Sequence, residues 1–340
     1  MTWALFAAGF AASAILTGVV RAYALRHNVM DVPTGRSSHT IPTPRGGGVA
    51  FVVVFTAIFC GGAGALQVPL RTLAAVAGSG IAMALLGFAD DHRHVPAGWR
   101  LIGHFAGAAW ALWWLGDGWI PSFFGAALWR QAIGYGVAAV GIVWLLNLYN
   151  FMDGIDGIAS IEAITTCVPG ALLIYVVDAR GAWPAAMLLT ACTAGFLAWN
   201  FPPARIFMGD AGSNFLGIVL AILAMDAARS DTRLLWAWGI LLGTFIVDAT
   251  ITLLRRIQRR ERVHVAHRSH AYQYASRRHR GHRPVTLAVG AINLLWLAPI
   301  AAAVVHGRIA PPVGLALAYL PLVLLAFRYK AGAREQHESS

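Results

Sequence analysis

The chain has 340 residues, of which 58% are hydrophobic and only 12% charged, with a formal net charge of +11. Its mean hydropathy is +0.63, which excludes the ordinary balance of a water-soluble domain and points to a membrane protein. The basic surplus does not argue for nucleic acid, because ten of the 26 Lys and Arg residues lie in one loop, 255–283, where a membrane surface accounts for them.

A helix needs about 20 residues to cross a hydrocarbon core of roughly 30 Å. About eleven apolar segments follow one another: Trp3 to Ala24, Gly46 to Leu66, Leu70 to Phe88, Leu101 to Leu115, Ala132 to Asn147, Gly157 to Val177, Trp183 to Trp199, Gly212 to Met225, Leu234 to Leu254, Val285 to Val305 and Pro311 to Phe327. They are apolar nearly all round, not alternating, so an all-α transmembrane bundle is expected rather than a barrel. The first begins almost at Met1 without a basic leader and reads as a true span, not a secretory signal. Nineteen Lys and Arg fall in one set of alternate loops and six in the other. The richer set is cytoplasmic by the positive-inside rule, which puts the N-terminus outside and the C-terminus inside. One membrane domain is expected over 1–330, followed by a polar cytoplasmic tail, 331–340. Cys60, Cys167 and Cys192 lie in apolar spans without CxxC spacing and read as small buried hydrophobes.

The polar interruptions carry the chemistry, and the loops 26–45, 89–100, 147–156, 200–211 and 255–283 hold them. "DVPTGRSSHTIPTPRGGG", Asp31 to Gly48, is a Pro- and Gly-rich loop in which Arg36, His39 and Arg45 are available to phosphate. Its glycines match no Walker pattern, and no GxGxxG follows a strand, so soluble nucleotide folds are excluded. "LGFADDHRHV" holds Asp90 and Asp91, which diverge by about 100° on a regular helix; one is placed to meet a metal while the other meets substrate or a basic partner, and helix capping is the alternative. "LLNLYNFMDGIDGIAS" sets Asn147, Asn150, Asp153 and Asp156 three residues apart. Each step turns about 60° back on a helix, so the ends of the series share a ligand only if the helix breaks, which Gly154 and Gly157 permit. "RIFMGDAGSNFLG" places Asp210 between Gly209 and Gly212.

Asp90, Asp91, Asp153, Asp156 and Asp210 therefore all fall at cytoplasmic span ends. A lone Asp there is more often a cap. Five together repel one another unless a cation neutralises them, and hard oxygen ligands beside phosphates suit Mg²⁺. In the basic loop, His264, His267 and His270 recur every third residue without a cysteine, a poor zinc set; the loop either is attracted to lipid headgroups or folds over an anionic substrate, with arginines such as Arg268 on phosphate. Glu162 and Asp248 lie inside spans and are left outside the site, as snorkelling or paired groups.

In this order and spacing, "DVPTGRSSHTIPTPRGGG", "GFADDHR", "NLYNFMDGIDGIAS", "FMGDAGSNFLG" and "HRSHAYQ" resemble the polyprenyl-phosphate N-acetylhexosamine-1-phosphate transferases, a glycosyltransferase family 4 group related to phospho-N-acetylmuramoyl-pentapeptide transferase, over roughly residues 25 to 285. The resemblance implies transfer of a sugar 1-phosphate from a UDP-N-acetyl sugar to undecaprenyl phosphate at the cytoplasmic face of a bacterial inner membrane, releasing UMP, with Mg²⁺, or Mn²⁺ as an alternative. It further implies an acidic pair in Asp90 and Asp91, with Asp91 also serving the metal, and a metal ligand in Asp210. Asn147, Asn150, Asp153 and Asp156 would surround nucleotide and metal, Phe207 would lie against uracil, and His270 would match the first histidine of an HxHH motif. Tyr272 and Gln273 replace its later histidines, which points to the O-antigen-initiating subgroup, with donors such as UDP-FucNAc or UDP-QuiNAc. A homodimer is compatible with this reading. An ion-coupled transporter is the rival from another class, but no midplane acids on an internal repeat are found. A CDP-alcohol phosphotransferase fails because "DGIDGIASIEA" lacks its Ala-Arg and spaced Asp residues.

Overall fold

The computed structural model describes residues 1–33, 41–93, 95–117, 128–178, 181–261 and 267–333. The described chain is almost wholly helical: α1 (Thr2–Arg26), α2 (Gly48–Gly61), α3 (Leu70–His92), α4 (Ala97–Leu115), α5 (Leu128–Met152), α6 (Ile158–Val177), α7 (Trp183–Asn200), α8 (Asp210–Ala228), α9 (Thr232–Leu241), α10 (Gly243–Gln258), α11 (Ala271–Arg278), α12 (His282–Ile292), α13 (Ala298–Val305) and α14 (Pro311–Arg328). A π-helical turn, Asn293–Leu297, joins α12 to α13, so that His282–Val305 forms one span. Each of the eleven expected apolar segments is helical. By length and composition seven helices can cross a membrane, or eight if α9 and α10, bent by 69°, are one span; α2, α4 and α7 fall short of that threshold. The chain is a multi-pass membrane protein. One short helix, α11, appears inside the basic loop where only irregular chain was expected.

Two features depart from a purely helical expectation. Strands of two residues, β1 (Met30–Asp31) and β2 (Thr43–Pro44), pair antiparallel, with Met30 opposite Pro44 and Asp31 opposite Thr43. The segment expected as a free polar tail also begins with packed residues: Ala331 is fully buried, the Arg255 guanidinium donates to its carbonyl (2.6 Å), and the Gly332 N–H donates to the Ser269 carbonyl (2.6 Å). Arg36, His39 and His264 lie outside the described residues.

The centre is α8, buried at every position after Asp210 and packed by α2, α3, α4, α5, α6 and α9. Lipid supplies no hydrophobic drive between apolar helices, so close approach through small residues matters most. At Gly87 an added Cβ would stand 2.4 Å from the Asp210 carbonyl oxygen, at Gly48 2.7 Å from the Gly212 Cα, and at Gly217 2.7 Å from the Leu146 Cα. The first two crossings draw the cavity-facing ends of α3 and α2 onto the start of α8. Asp91 lies one helical turn beyond Gly87, on the same face, so the crossing also delivers its carboxylate to Asp210.

Gly87→Ala is therefore expected to destabilise the protein by about 1–3 kcal/mol, because backbone rather than a flexible side chain must yield. Gly136→Ala, in open space on α5, serves as the neutral comparison, with thermal midpoints in detergent as the measurement. Equal midpoints for the two variants would refute the crossing.

Candidate active site

The helix ends meet around a polar cavity of about 310 Å³. Among the described residues its lining holds five aspartates, Asp31, Asp91, Asp153, Asp156 and Asp210, against one arginine, Arg45. Local geometry explains each placement. Gly209, at φ +77°, turns the chain into α8 in a conformation that side chains other than glycine rarely adopt. Asp91 Oδ2 then accepts the Ala211 N–H (3.4 Å) at the start of that helix, where unpaired amides favour negative charge. Arg45 donates to the Asp91 backbone carbonyl (2.5 Å). The Asn150 amide donates to Asp210 Oδ1 and to Ser213 Oγ, both at 3.0 Å, and so orients the Asp210 carboxylate.

The helix break required by the "NLYNFMDGIDGIAS" series is present. The fifth helix ends at Met152 and α6 begins at Ile158, with Gly157 left-handed at φ +73° between them. Its N–H donates to Asn200 Oδ1 (3.0 Å), and the Asn200 amide donates to the Ile206 carbonyl (2.9 Å), tying the turn to the end of α7. Phe207 is placed by backbone pairing that prolongs β2: its N–H donates to the Pro44 carbonyl (2.8 Å), and its carbonyl accepts the Gly47 N–H (2.9 Å).

The aspartates are not equivalent. Asp156 is engaged: Oδ2 accepts the Ala204 N–H (3.0 Å), and Oδ1 lies 3.0 Å from His282 Nδ1. Among the described residues the Asp153 carboxylate has no hydrogen-bond or ionic partner. Burial first, and then the charges of Asp210, Asp91 and Asp156, hold its carboxyl well above the usual carboxylate range.

Asp91, Asn150, Asp153, Asp156, Phe207 and Asp210 are thus brought together; Asp90, Asn147, His270 and Arg268 do not line the cavity. Asp90 turns away, as adjacent helical positions must, and binds Arg100 (2.5 Å) and the Val95 N–H (2.8 Å). Asn147, one turn deeper in α5, donates to the Val143 carbonyl (2.7 Å) and contacts His104 Nδ1 (3.2 Å). His270 is buried, 3.3 Å from Asp248, between the rings of His267 and Tyr272. Burial, with His270 and Arg256 nearby, pulls His267 down to about 3, so it brings no positive charge at neutral pH.

Asp31, Asn200, Ser213, Gln273 and His282 line the cavity without having been singled out as site residues. Ser213 had a signal, since it lies three residues after Asp210 on one helical face. Asn200 ends a span as Asn150 nearly does. His282 had none, because only the fold brings α12 to Asp156.

The profile of glycosyl transferase family 4 matches residues 73–228. A Bacillus subtilis protein named "Probable undecaprenyl-phosphate N-acetylglucosaminyl 1-phosphate transferase" is 27% identical over 298 residues, covering 83% of this chain and 79% of its own length. The "Decaprenyl-phosphate N-acetylglucosaminephosphotransferase" of Mycolicibacterium smegmatis is 30% identical over 279 residues, 72% of this chain and 66% of its own. The "Phospho-N-acetylmuramoyl-pentapeptide-transferase" of Moorella thermoacetica is 30% identical over 229 residues, 63% of this chain and 69% of its own. The profile runs from within α3 through α8, the stretch that holds Asp91, Asn150, Asp153, Asp156 and Asp210, and the chain belongs to glycosyl transferase family 4.

Proposed function

We propose that the protein transfers an N-acetylated sugar 1-phosphate from a UDP-sugar to undecaprenyl phosphate at the cytoplasmic face of a bacterial inner membrane, forming undecaprenyl-diphospho-sugar and UMP at the start of an O-antigen-type polysaccharide. The observation that carries the reading is the cavity at the ends of apolar spans, with five carboxylates and one arginine. A soluble donor and a lipid-tethered acceptor meet only at such a boundary. A transporter would instead place its acids near the middle of discontinuous spans.

The donor set fits Mg²⁺. Asp153 is an unpartnered carboxylate, Asp210 is oriented by Asn150, and Asp91 lies beside them. Among the described residues no three His, Cys, Asp or Glu side chains already form a metal-ready group, which suits an ion that takes one or two carboxylates and fills its shell with water and substrate phosphates. Asp153 and Asp210 would hold it, with Asp91 adjacent, and the ion when bound supplies charge neutralisation for the diphosphate and the departing UMP.

The remaining work is positioning, as expected for phosphoryl transfer. A phosphomonoester has a second pKa of about 6 and is largely dianionic near neutral pH, so the acceptor needs alignment more than proton removal. Arg45 supplies the fixed positive charge on the Asp91 side, where the acceptor phosphate would sit. Phe207 offers an aromatic face for uracil. Asp156, paired with His282, holds the turn that presents Asp153. Direct attack and an aspartyl-phosphate route both fit this arrangement.

Purified protein given undecaprenyl phosphate, Mg²⁺ and a panel of UDP-N-acetyl sugars, including UDP-FucNAc and UDP-QuiNAc, is expected to release UMP only when the lipid is present. Lipid-independent release, or none with any donor, would overturn the function. Asp153→Asn is expected to lower turnover at least about a hundredfold while raising unfolding free energy by about 1–2 kcal/mol, since a buried carboxyl whose ionisation its surroundings oppose is replaced. Mg²⁺ should raise the thermal midpoint of the wild type more than that of the variant. A variant less stable than wild type without Mg²⁺ would contradict the repulsion assigned to Asp153.

A further inference from the structure

Asp248 and Tyr272 stand outside the chemistry described above, yet both reach the turn that carries Asp153. Asp248 lies on α10 and is 7% exposed. Its Oδ1 accepts the Ala271 N–H and its Oδ2 the Tyr272 N–H, both at 2.9 Å. His270 Nδ1 and Thr252 Oγ1 also approach Oδ1, at 3.3 and 3.1 Å. Ala271 and Tyr272 open α11, and first-turn amides have no partner within their own helix. A carboxylate there satisfies two of them and meets the favourable end of the helix dipole. Asp248 therefore fixes where α11 begins and how it is turned.

Tyr272 transmits that placement. Its ring is 4% exposed, and its hydroxyl donates to the Phe151 carbonyl (3.0 Å) in the last turn of α5, where carbonyls lack helical partners. On the far side of Asp153, a Cβ added at Gly154 would stand 2.1 Å from the same hydroxyl oxygen. The Tyr272 hydroxyl thus touches the backbone on both sides of Asp153 and leaves room only for glycine at 154. Gln273, the next residue, accepts the His270 N–H through Oε1 (3.3 Å) and lines the cavity.

We propose that Asp248 and Tyr272 are positioning residues for the transfer reaction: Asp248 anchors the start of α11, and the Tyr272 hydroxyl clamps the Phe151–Gly154 turn so that Asp153 stays facing Asp210 and Asp91. This rests on the cavity being the transfer site. Neither residue lines the cavity. The pair gives Tyr272 a task of its own, and it explains why an aspartate sits within an apolar span.

The test uses full-length protein in detergent with undecaprenyl phosphate, Mg²⁺ and whichever UDP-sugar the wild type accepts. Tyr272→Phe is expected to lower kcat roughly tenfold with KM and thermal midpoint little changed, and to speed amide hydrogen exchange at residues 153–157. Asp248→Asn should lower kcat at least as much, and the double variant no further than Asp248→Asn alone, because both act through one contact. Gly154→Ala should be nearly inactive and partly rescued by Tyr272→Phe, which removes the colliding oxygen. Wild-type kcat and exchange in Tyr272→Phe would overturn the clamp, as would kcat losses that multiply in the double variant. If Asp248→Asn does not fold, the Gly154→Ala and Tyr272→Phe pair decides, and failure of rescue counts against the clamp. Faster exchange in Tyr272→Phe, in a protein whose wild type shows no lipid-dependent turnover, would uphold the clamp and overturn the transfer reaction instead.

Discussion

Everything in this site depends on holding like charges close together at the polar end of an apolar bundle. Asp91, Asp153 and Asp210 come from three separate parts of the chain, and their mutual repulsion opposes every contact that joins those parts. Packing around α8 overcomes it. The crossing at Gly87 and Asp210 is backbone on backbone and admits no side chain, so the acids are brought together by the steric fit of helices and not by any attraction among themselves. Packed interiors resist small displacements strongly. A site assembled this way keeps its charge density when no ligand compensates it, which is a condition for binding a cation and a diphosphate firmly.

The same constraint explains the division of labour among the aspartates. Asp156 and Asp90 have each acquired a basic partner, His282 and Arg100, and serve as struts. Asp91 is moderated by the first amides of α8. Asp153 alone has no partner among the described residues. Natural sites often carry one group that the fold leaves uncompensated because a ligand is meant to complete it.

Much of this was legible in the amino-acid sequence, for physical reasons that also mark where legibility ends. Span length and hydropathy report directly on the bilayer, so the eleven apolar segments are helical, seven or eight helices being long and apolar enough to cross, and four of the five acids marked at span ends line one cavity. Adjacent Asp90 and Asp91 had to diverge on a helix, but which of them turns inward depends on the crossing at Gly87, a tertiary fact. The three-residue series from Asn147 required a break, and Gly157 supplies it after α5 ends at Met152, yet Asn147 and Asn150 both stay on α5, and only the packing of that helix decides that Asn150 meets Asp210 while Asn147, one turn deeper, meets His104. His270 matches the first position of the motif, while only the fold shows its ring buried beside Asp248 and outside the cavity lining. Asp248 read as a snorkelling or paired group because sequence shows depth in a span, not which helix N-terminus lies opposite. Asp31 and His282 carry no pattern of their own and enter through strand pairing and helix docking.

The bend between α9 and α10 shows how an apolar interior tolerates this design. A break inside a bilayer exposes backbone and polar groups that lipid cannot satisfy. Thr244, immediately after the bend, has its hydroxyl 2.9 Å from Glu162 Oε2 and 2.7 Å from Asn293 Oδ1, and the Asn293 amide donates to Glu162 Oε2 (2.6 Å) and Thr165 Oγ1 (2.9 Å). Asn293 opens the π-helical turn, so two irregularities from separate spans meet at one polar node. The 69° change of direction redirects α10 away from the axis of α9. Asp248 follows Gly243 by five residues, under two helical turns, so it lies on the redirected arm, and a straight continuation of α9 would carry it elsewhere. The buried Glu162, which sequence alone marks only as an oddity in a membrane span, therefore belongs to the same physical chain as the exposed chemistry: it stabilises the bend, the bend places Asp248, and Asp248 sets the start of α11 beside the turn that holds Asp153.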